Sequence, residues 1–261
     1  MAEIKVLFIG DVVGKLGRQT VRSYLAKHAA KYDLILANGE NLAHGTGLTE
    51  KTVKEILAAG VQVLTTGNHV YHRPEIYPVL NKLPIVCPAN YPEGVPGRPY
   101  IILTVKKTKI AITNLLGRVF MGTAVNSPFV VADQILKQLK KEKVKIILLD
   151  FHAEATAEKV ALYRYLDGRV TAILGTHTHI QTADEEISDQ GTAFITDVGG
   201  VYAKDSVIGV EADGILKKFL TALPHKHIIP ENGPALFNAV EFRINTTKAI
   251  AVEIKRINQT L

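Results

Sequence analysis

His177 and His179 stand two residues apart in GTHTH (175–179), directly after the apolar run VTAILG (170–175). Two imidazoles at the end of a core strand are either polar groups on a wet loop or ligands for a metal ion. The spacing alone does not separate these readings, but four other apolar runs bear on it. IKVLFIG (4–10) is followed by Asp11, DLILANG (33–39) by Glu40 and Asn41, VQVLTTG (61–67) by Asn68 and His69, and KIILLDF (145–151) by His152. Taken singly, Asp11 reads as a turn or cap residue, Gly67-Asn68-His69 as a turn, and His152 as a surface or satisfied core group. Taken together they repeat one arrangement, and buried carboxylates and imidazoles need partners that a metal ion can supply.

The donors narrow the chemistry. Asp11, Glu40, Asn41, Asn68, His152, His177 and His179 include no thiolate, which excludes structural zinc of the cysteine type. They are too many for one tetrahedral ion. Mixed oxygen and imidazole donors suit iron, manganese, zinc or cobalt at higher coordination number. They fit two ions that share a carboxylate, about 3.5–4 Å apart, as in two-metal phosphoryl transfer.

The elements that must position these groups alternate. After the first strand, LGRQTVRSYLAKHAAKY (16–32) reads as an amphipathic helix. TEKTVKEILAAG (49–60) reads as another, opened by a threonine cap. Continuous apolar strands alternating with helices predict an α/β fold with parallel strands covered on both faces. Parallel neighbours would bring the five strand ends to one edge of a sheet, where open α/β folds bind ligands. The Pro-rich stretch LPIVCPANYPEGVPGRP (83–99) is too broken for regular structure, and YIILTV and KIAITNL form a hairpin around KKT. Helices over 131–143 and EATAEKVALYRYLD precede the His152 run and the GTHTH run respectively. EEIS and GTAFITDVGG are short runs, followed by a helix EADGILKKFLTALP and a closing β-pair, FNAVEFRIN and AIAVEIKRI, around TTK. With no linker or repeat, one domain over residues 1–261 is expected, and the β-rich end reads as a second sheet.

The chain is 47% hydrophobic and 21% charged, enough to bury a large core, which excludes a disordered class. No apolar run approaches the roughly 18 residues of a membrane span, so no membrane is expected. The lone Cys87 cannot form an internal disulfide. With no leader recognised at MAEIKVLFIG, a cytoplasmic location is expected. The formal charge of +6 leans toward anionic ligands, but the lysines of LKQLKKEKVK (136–145) read as a solvated helix face, and no nucleic-acid motif is present. GDVVGKLG (10–17) is not a phosphate loop: its glycine spacing is one short, and Leu16 stands where a hydroxyl is required. Arg118 reads equally as a contact to a substrate phosphate or base and as an exposed, neutral arginine, and Asp150 and Asp197 read as supporting hydrogen-bond or turn residues.

GD (10–11), GEN (39–41), GNH (67–69), FH (151–152) and GTHTH (175–179), in this order, resemble the calcineurin-like metallophosphoesterase superfamily. DFHAEAT (150–156), YLDGRV (165–170), GTHTHIQTADE (175–185) and ITDVG (195–199) are similar to its YmdB-type branch, as are PANYP, NLLGRVFM and DSVIG. The resemblance implies a four-layer αββα sandwich of two mixed β-sheets flanked by helices. It implies a phosphodiesterase acting on 2′,3′-cyclic nucleotides, with two metal ions per chain. Iron or manganese is the first choice, with zinc, cobalt or magnesium as alternatives. By the same resemblance Asp11, Glu40, Asn41 and His179 would hold one ion, and Glu40, Asn68, His152 and His177 the other. His69 would stay uncoordinated as general acid, while a water activated between the ions attacks phosphorus in line. The usual D-x-H of the superfamily is Asp11-Val12-Val13 here, and Asn41 stands in for the missing histidine. The expected partner is a small phosphate ester, with RNA indicated by no motif, and a homo-oligomer is the expected assembly. Two alternatives remain: a phosphomonoesterase such as a nucleotidase, or a regulatory or RNA-binding protein that keeps the metals as scaffold.

Overall fold

A computed structural model of the chain describes residues 3–261. Its first half runs β1 (Glu3–Val12), α1 (Gly14–His28), β2 (Leu34–Asn38), α2 (Glu50–Ala58), β3 (Val63–Thr65), β4 (Tyr100–Val105) and β5 (Thr108–Leu116). The second half runs α3 (Pro128–Lys141), β6 (Ile146–His152), α4 (Thr156–Leu166), β7 (Ala172–Thr176), β8 (Glu186–Ile187), β9 (Ala193–Ile195), β10 (Gly200–Ala203), α5 (Ala212–Thr221), β11 (Ala235–Asn245) and β12 (Ile250–Thr260).

Alternation along the strands builds the layers. In β1, Val6 and Phe8 face one way and Leu7 and Ile9 the other, and all are buried. Val6 and Phe8, with Leu34 and Leu36 of β2, meet Ile110, Ile112, Ile146, Leu148 and Leu174 from β5, β6 and β7. This is the interface between two stacked sheets, whose side chains fill a spacing of about 10 Å. Leu7 and Ile9 instead meet Val21 and Leu25 of α1 and Val53 and Ile56 of α2. On the far side, Ile147 and Leu149 of β6 meet Ile135 and Leu139 of α3 and Leu162 of α4. The result is a helix–sheet–sheet–helix sandwich of two mixed sheets, as the resemblance implies.

The first sheet has the order β12-β11-β10-β1-β2-β3, with β11 also paired to β1, and the second β4-β5-β6-β7-β9-β8. This corrects two expectations. The strands that carry the candidate ligands do not share one sheet: β1, β2 and β3 lie in the first, β6 and β7 in the second. Their C-terminal ends meet because the sheets are stacked face to face. The closing β-pair is not a second sheet either, since β11 runs antiparallel to β1 from Glu3↔Asn245 to Ile9↔Ala239.

Local chemistry explains the other boundaries. Thr49 caps α2, accepting from the Thr52 amide while the Thr52 hydroxyl accepts from the Thr49 amide. The β4–β5 hairpin turns on Lys106 and Lys107, both at positive φ (45° and 65°), without the usual glycine. The Pro-rich segment forms only isolated bridges, Leu64↔Ile85 and Val86↔Arg98. β10 escapes sequence reading because GGVYA carries no alternation. No helix among the described residues is long and apolar enough to cross a membrane.

Candidate metal centre

The candidate ligands collect where the two sheets' strands end. Asp11 lies inside β1 rather than after it, held in register by the parallel pairing Asp11↔Gly200. Glu40, Asn41 and Asn68 follow β2 and β3, His152 ends β6, and His177 and His179 follow β7. Asp11, Glu40, Asn41 and His152 are buried; His69, His177 and His179 form a partly open rim.

His152 is the hub. Its Nδ1 lies 2.8 Å from Thr176 Oγ1, whose single proton is donated to Asp150 Oδ1 at 2.6 Å. The hydroxyl therefore accepts, and Nδ1 carries a proton. The other ring nitrogen, Nε2, is 3.2 Å from Glu40 Oε1, 3.1 Å from Asn68 Oδ1 and 3.0 Å from His177 Nδ1. Glu40, His152 and His177 bring ligand atoms within 4.8 Å of one another.

The other two histidines are oriented in the same way. His177 Nε2 sits 3.2 Å from Glu154 Oε2, which directs Nδ1 inward. His179 Nδ1 is 2.9 Å from the Ile208 carbonyl, an acceptor only, so Nδ1 donates and Nε2 is bare. That Nε2 faces Asn41 Nδ2 at 3.3 Å and Asp11 Oδ1 at 3.9 Å. Asp11 Oδ2 accepts from the His177 amide at 3.1 Å, while Oδ1 is buried with no hydrogen-bond partner among the described residues. Glu40 links the groups: Oε1 accepts from Asn41 Nδ2 at 3.2 Å and Oε2 from the His69 amide at 3.0 Å. Gly67 is obligatory beside it, because a Cβ there would collide with Glu40 Oε2 and the His152 ring.

His69 differs. Its Nδ1 points inward, 2.9 Å from Asn41 Oδ1, and its Nε2 is left for the open side. Burial lowers its pKa, with the Glu40 charge acting against that.

Electrostatically the site calls for positive charge. Burial opposes ionisation of His152, yet Glu40, Asp11 and Asp150 raise its pKa to about 9. Burial and the neighbouring His152 push His177 down to about 3. Burial raises Asp11, with His179 and His152 opposing. Glu40 is held well below the usual carboxylate range: burial pushes it up, but the charge and hydrogen bond of His152 prevail. A proton on His152 thus sits among acceptors where a cation could sit.

The structure brings together all seven candidate ligands and places His69 at their rim. Sequence reading leaves their supports Asn38, Thr65, Thr176 and Lys159 unmarked. Asn38 Oδ1 accepts from the Glu40 amide at 3.1 Å, and its Nδ2 donates to Asp150 Oδ2 at 3.0 Å, tying β2 to β6. Thr65 donates to the same carboxylate at 2.5 Å. Burial raises Asp150 to about 6, against the His152 charge and these hydroxyls. The available signal was a polar residue near the end of each apolar strand. For Lys159 it was a lysine on the apolar face of α4, in line with Leu162, Tyr163 and Leu166.

Lys159 acts through Asp197. Both are buried, 2.7 Å apart. Asp197 Oδ2 also accepts from the Thr178 amide at 3.0 Å, and Oδ1 from the Gly199 amide at 2.8 Å. His177 and His179 both adopt positive φ, 106° and 66°, a conformation disfavoured for residues with a Cβ. The Asp197 carboxylate holds the amide between them.

A family model described as YmdB-like protein matches residues 7–257. The chain is 42% identical over 257 residues to a 2′,3′-cyclic-nucleotide 2′-phosphodiesterase of Bacillus subtilis (strain 168), covering 97% of this chain and 96% of that one. A crystal structure of a novel phosphatase from Mycoplasma pneumoniae superposes with a TM-score of 0.93 at 34% identity, covering 100% of this chain and 94% of that one. A crystal structure of a hypothetical protein from Thermus thermophilus gives 0.92 at 38% identity, covering 98% of this chain and 99% of that one.

Proposed function

The chain belongs to the YmdB-like family and is a phosphoesterase, and from that premise we propose that it hydrolyses 2′,3′-cyclic nucleotides with two divalent metal ions. The observation that carries this reading is the convergence on His152 Nε2 of Glu40, Asn68 and His177 within 3.0–3.2 Å.

The residues fit such ions. Asp11 Oδ1 is a buried carboxylate oxygen with no hydrogen-bond partner among the described residues, a costly state that a cation would relieve. Each of His152, His177 and His179 has its outer nitrogen at a hydrogen-bond acceptor, as metal-binding imidazoles do. Asp11, Glu40, Asn41 and His179 would hold one ion, Asn41 through Oδ1, the oxygen that also accepts from His69 Nδ1, and Glu40, Asn68, His152 and His177 the other. Mixed oxygen and nitrogen donors suit iron, manganese, zinc or cobalt, and iron or manganese is our first choice. When bound, the ions would lower the pKa of a water and offset charge on the phosphoryl oxygens.

The chain's own contribution is orientation and a proton. Asn41 Oδ1 accepts from His69 Nδ1, so Nε2 hands a proton to the leaving ribose oxygen from the doubly protonated ring, a form that burial disfavours and the Glu40 charge favours. Glu40 holds the His69 backbone amide, so the acid is placed by the same carboxylate that would bridge the ions.

The test combines metal analysis with assays on cyclic nucleotides, linear diesters and a monoester. Fastest turnover of 2′,3′-cyclic nucleotides is expected. His69→Ala should keep its metal and lose about 10²-fold or more in kcat; loss of metal as well would make His69 a ligand. Glu40→Gln should lose both, and full activity in that variant would refute the two-ion assignment. Faster turnover of the monoester would favour a nucleotidase.

A further inference from the structure

A concave groove of about 910 Å³ lies at the far end of the second sheet from the candidate centre. β6 joins the two: Ile147 lines the groove, and His152 stands at the other end of the strand, roughly 17 Å away. Five lysines line it. Lys137 and Lys140 come from α3, Lys143 and Lys145 from the α3–β6 connection, and Lys248 from the β11–β12 turn.

Sequence alone reads the first four as a solvated helix face. The structure instead gathers them with a residue a hundred positions later, across a common concavity. None of the five side chains forms an ion pair among the described residues. The one acid lining the groove, Asp133, is already engaged by Arg169 at 2.5 Å and the Tyr165 hydroxyl at 2.6 Å. The connections that present the lysines are fixed. Lys143 is at positive φ (58°), and beside it the Val144 amide closes α3 onto the Leu139 carbonyl at 3.0 Å. Ala249, beside Lys248, is also at positive φ, its amide on the Asn245 carbonyl at 2.8 Å.

We propose that this groove is a binding site for a small ligand carrying several phosphates, of nucleoside-triphosphate size. Unneutralised ammonium groups in a concave, partly apolar surface focus positive potential. Five point charges match a run of closely spaced phosphates better than one monoanion. The volume lies in the range of small-ligand sites. No aromatic side chain lines the groove, so it offers no platform for stacking the bases of a single-stranded nucleic acid.

The experiment is calorimetric titration of the full chain, as purified, with inorganic tripolyphosphate, ATP, monophosphate and a short single-stranded RNA, at low and moderate salt. Tripolyphosphate and ATP should bind in a salt-sensitive manner. Lys140→Glu with Lys248→Glu should weaken both at least tenfold while leaving phosphodiesterase activity and the circular dichroism spectrum unchanged. Glu40→Gln should leave this binding intact, which separates the groove from the candidate centre. Tighter binding of ATP than of tripolyphosphate would assign the apolar floor at Ile147 and Val170 to the nucleoside. Equal binding by the lysine variant, or monophosphate binding as tightly as tripolyphosphate, would overturn the proposal. RNA binding more tightly than either polyphosphate, and lost in the lysine variant, would replace it with a nucleic-acid site.

Discussion

Three histidines in the candidate centre give one nitrogen to a hydrogen-bond acceptor and turn the other into the ligand cluster. For His152 this has a measurable cost, because its pKa of about 9 means that a proton occupies the ring at neutral pH. A metal ion must displace that proton, so affinity and pH are linked. Metal binding at pH 7 should release about one proton, and affinity should rise nearly tenfold per pH unit until the pH passes the His152 value. Calorimetry in buffers of different ionisation enthalpy reads the proton count; none released would mean that no protonated His152 becomes a ligand. The candidate ligands stand out in the sequence because each carries its chemistry in its own side chain. Asn38, Thr65 and Thr176 do not, because their role lies only in what they touch: an Asp150 carboxylate that lies elsewhere in the chain.

At the scale of elements, the loop after β7 is held in place by partners outside it. Lys159→Met would leave Asp197 buried without its counter-charge and should cost about 3–5 kcal/mol in thermal or denaturant unfolding. Adding Asp197→Leu should recover much of that stability, since buried ion pairs are seldom better than apolar packing. The Thr178 amide would then lack its acceptor, so metal retained per folded molecule should be low in the double variant. Normal metal content there would show that the pair only packs. Further along the same loop, Asp184 accepts from the Thr182 hydroxyl at 2.6 Å and the Thr196 amide at 3.2 Å. Burial pushes its pKa up, but these bonds and that of the Thr196 hydroxyl bring it below the usual range. A lowered folded pKa stabilises above the unfolded value, and the gain disappears as pH falls through the folded one. Asp184→Asn should therefore be less stable than the parent at pH 7, by under about 1 kcal/mol given solvent screening, and the gap should close in acid. Helices and strands with clear periodicity were readable here. The loop's left-handed histidines were not, because sequence pattern carries no φ.

Over the whole molecule, the candidate centre lies on the seam between two sheets. Sequence reading expected a single sheet edge, since alternation shows that strands run parallel but not which sheet each joins. The seam predicts how metal removal is felt. Ligands that bind only the folded state stabilise it by mass action. Chelation should therefore lower the melting temperature by several degrees. It should raise amide exchange first at the ends of β2 and β6, with the β11–β12 hairpin still protected. Uniform exchange across the molecule would place the ions elsewhere. The pairing of β1 with β11 also has a consequence for synthesis. The strand that bears Asp11 leaves the ribosome more than 200 residues ahead of its partner from Ala239 to Asn245. At about 5–20 residues per second, that edge waits unpaired on the order of ten seconds or longer. Over that interval the nascent chain carries an open, apolar strand edge, the kind that templates aggregation. Slower translation or less chaperone cover over those seconds should therefore lower the fraction of this protein that reaches its fold.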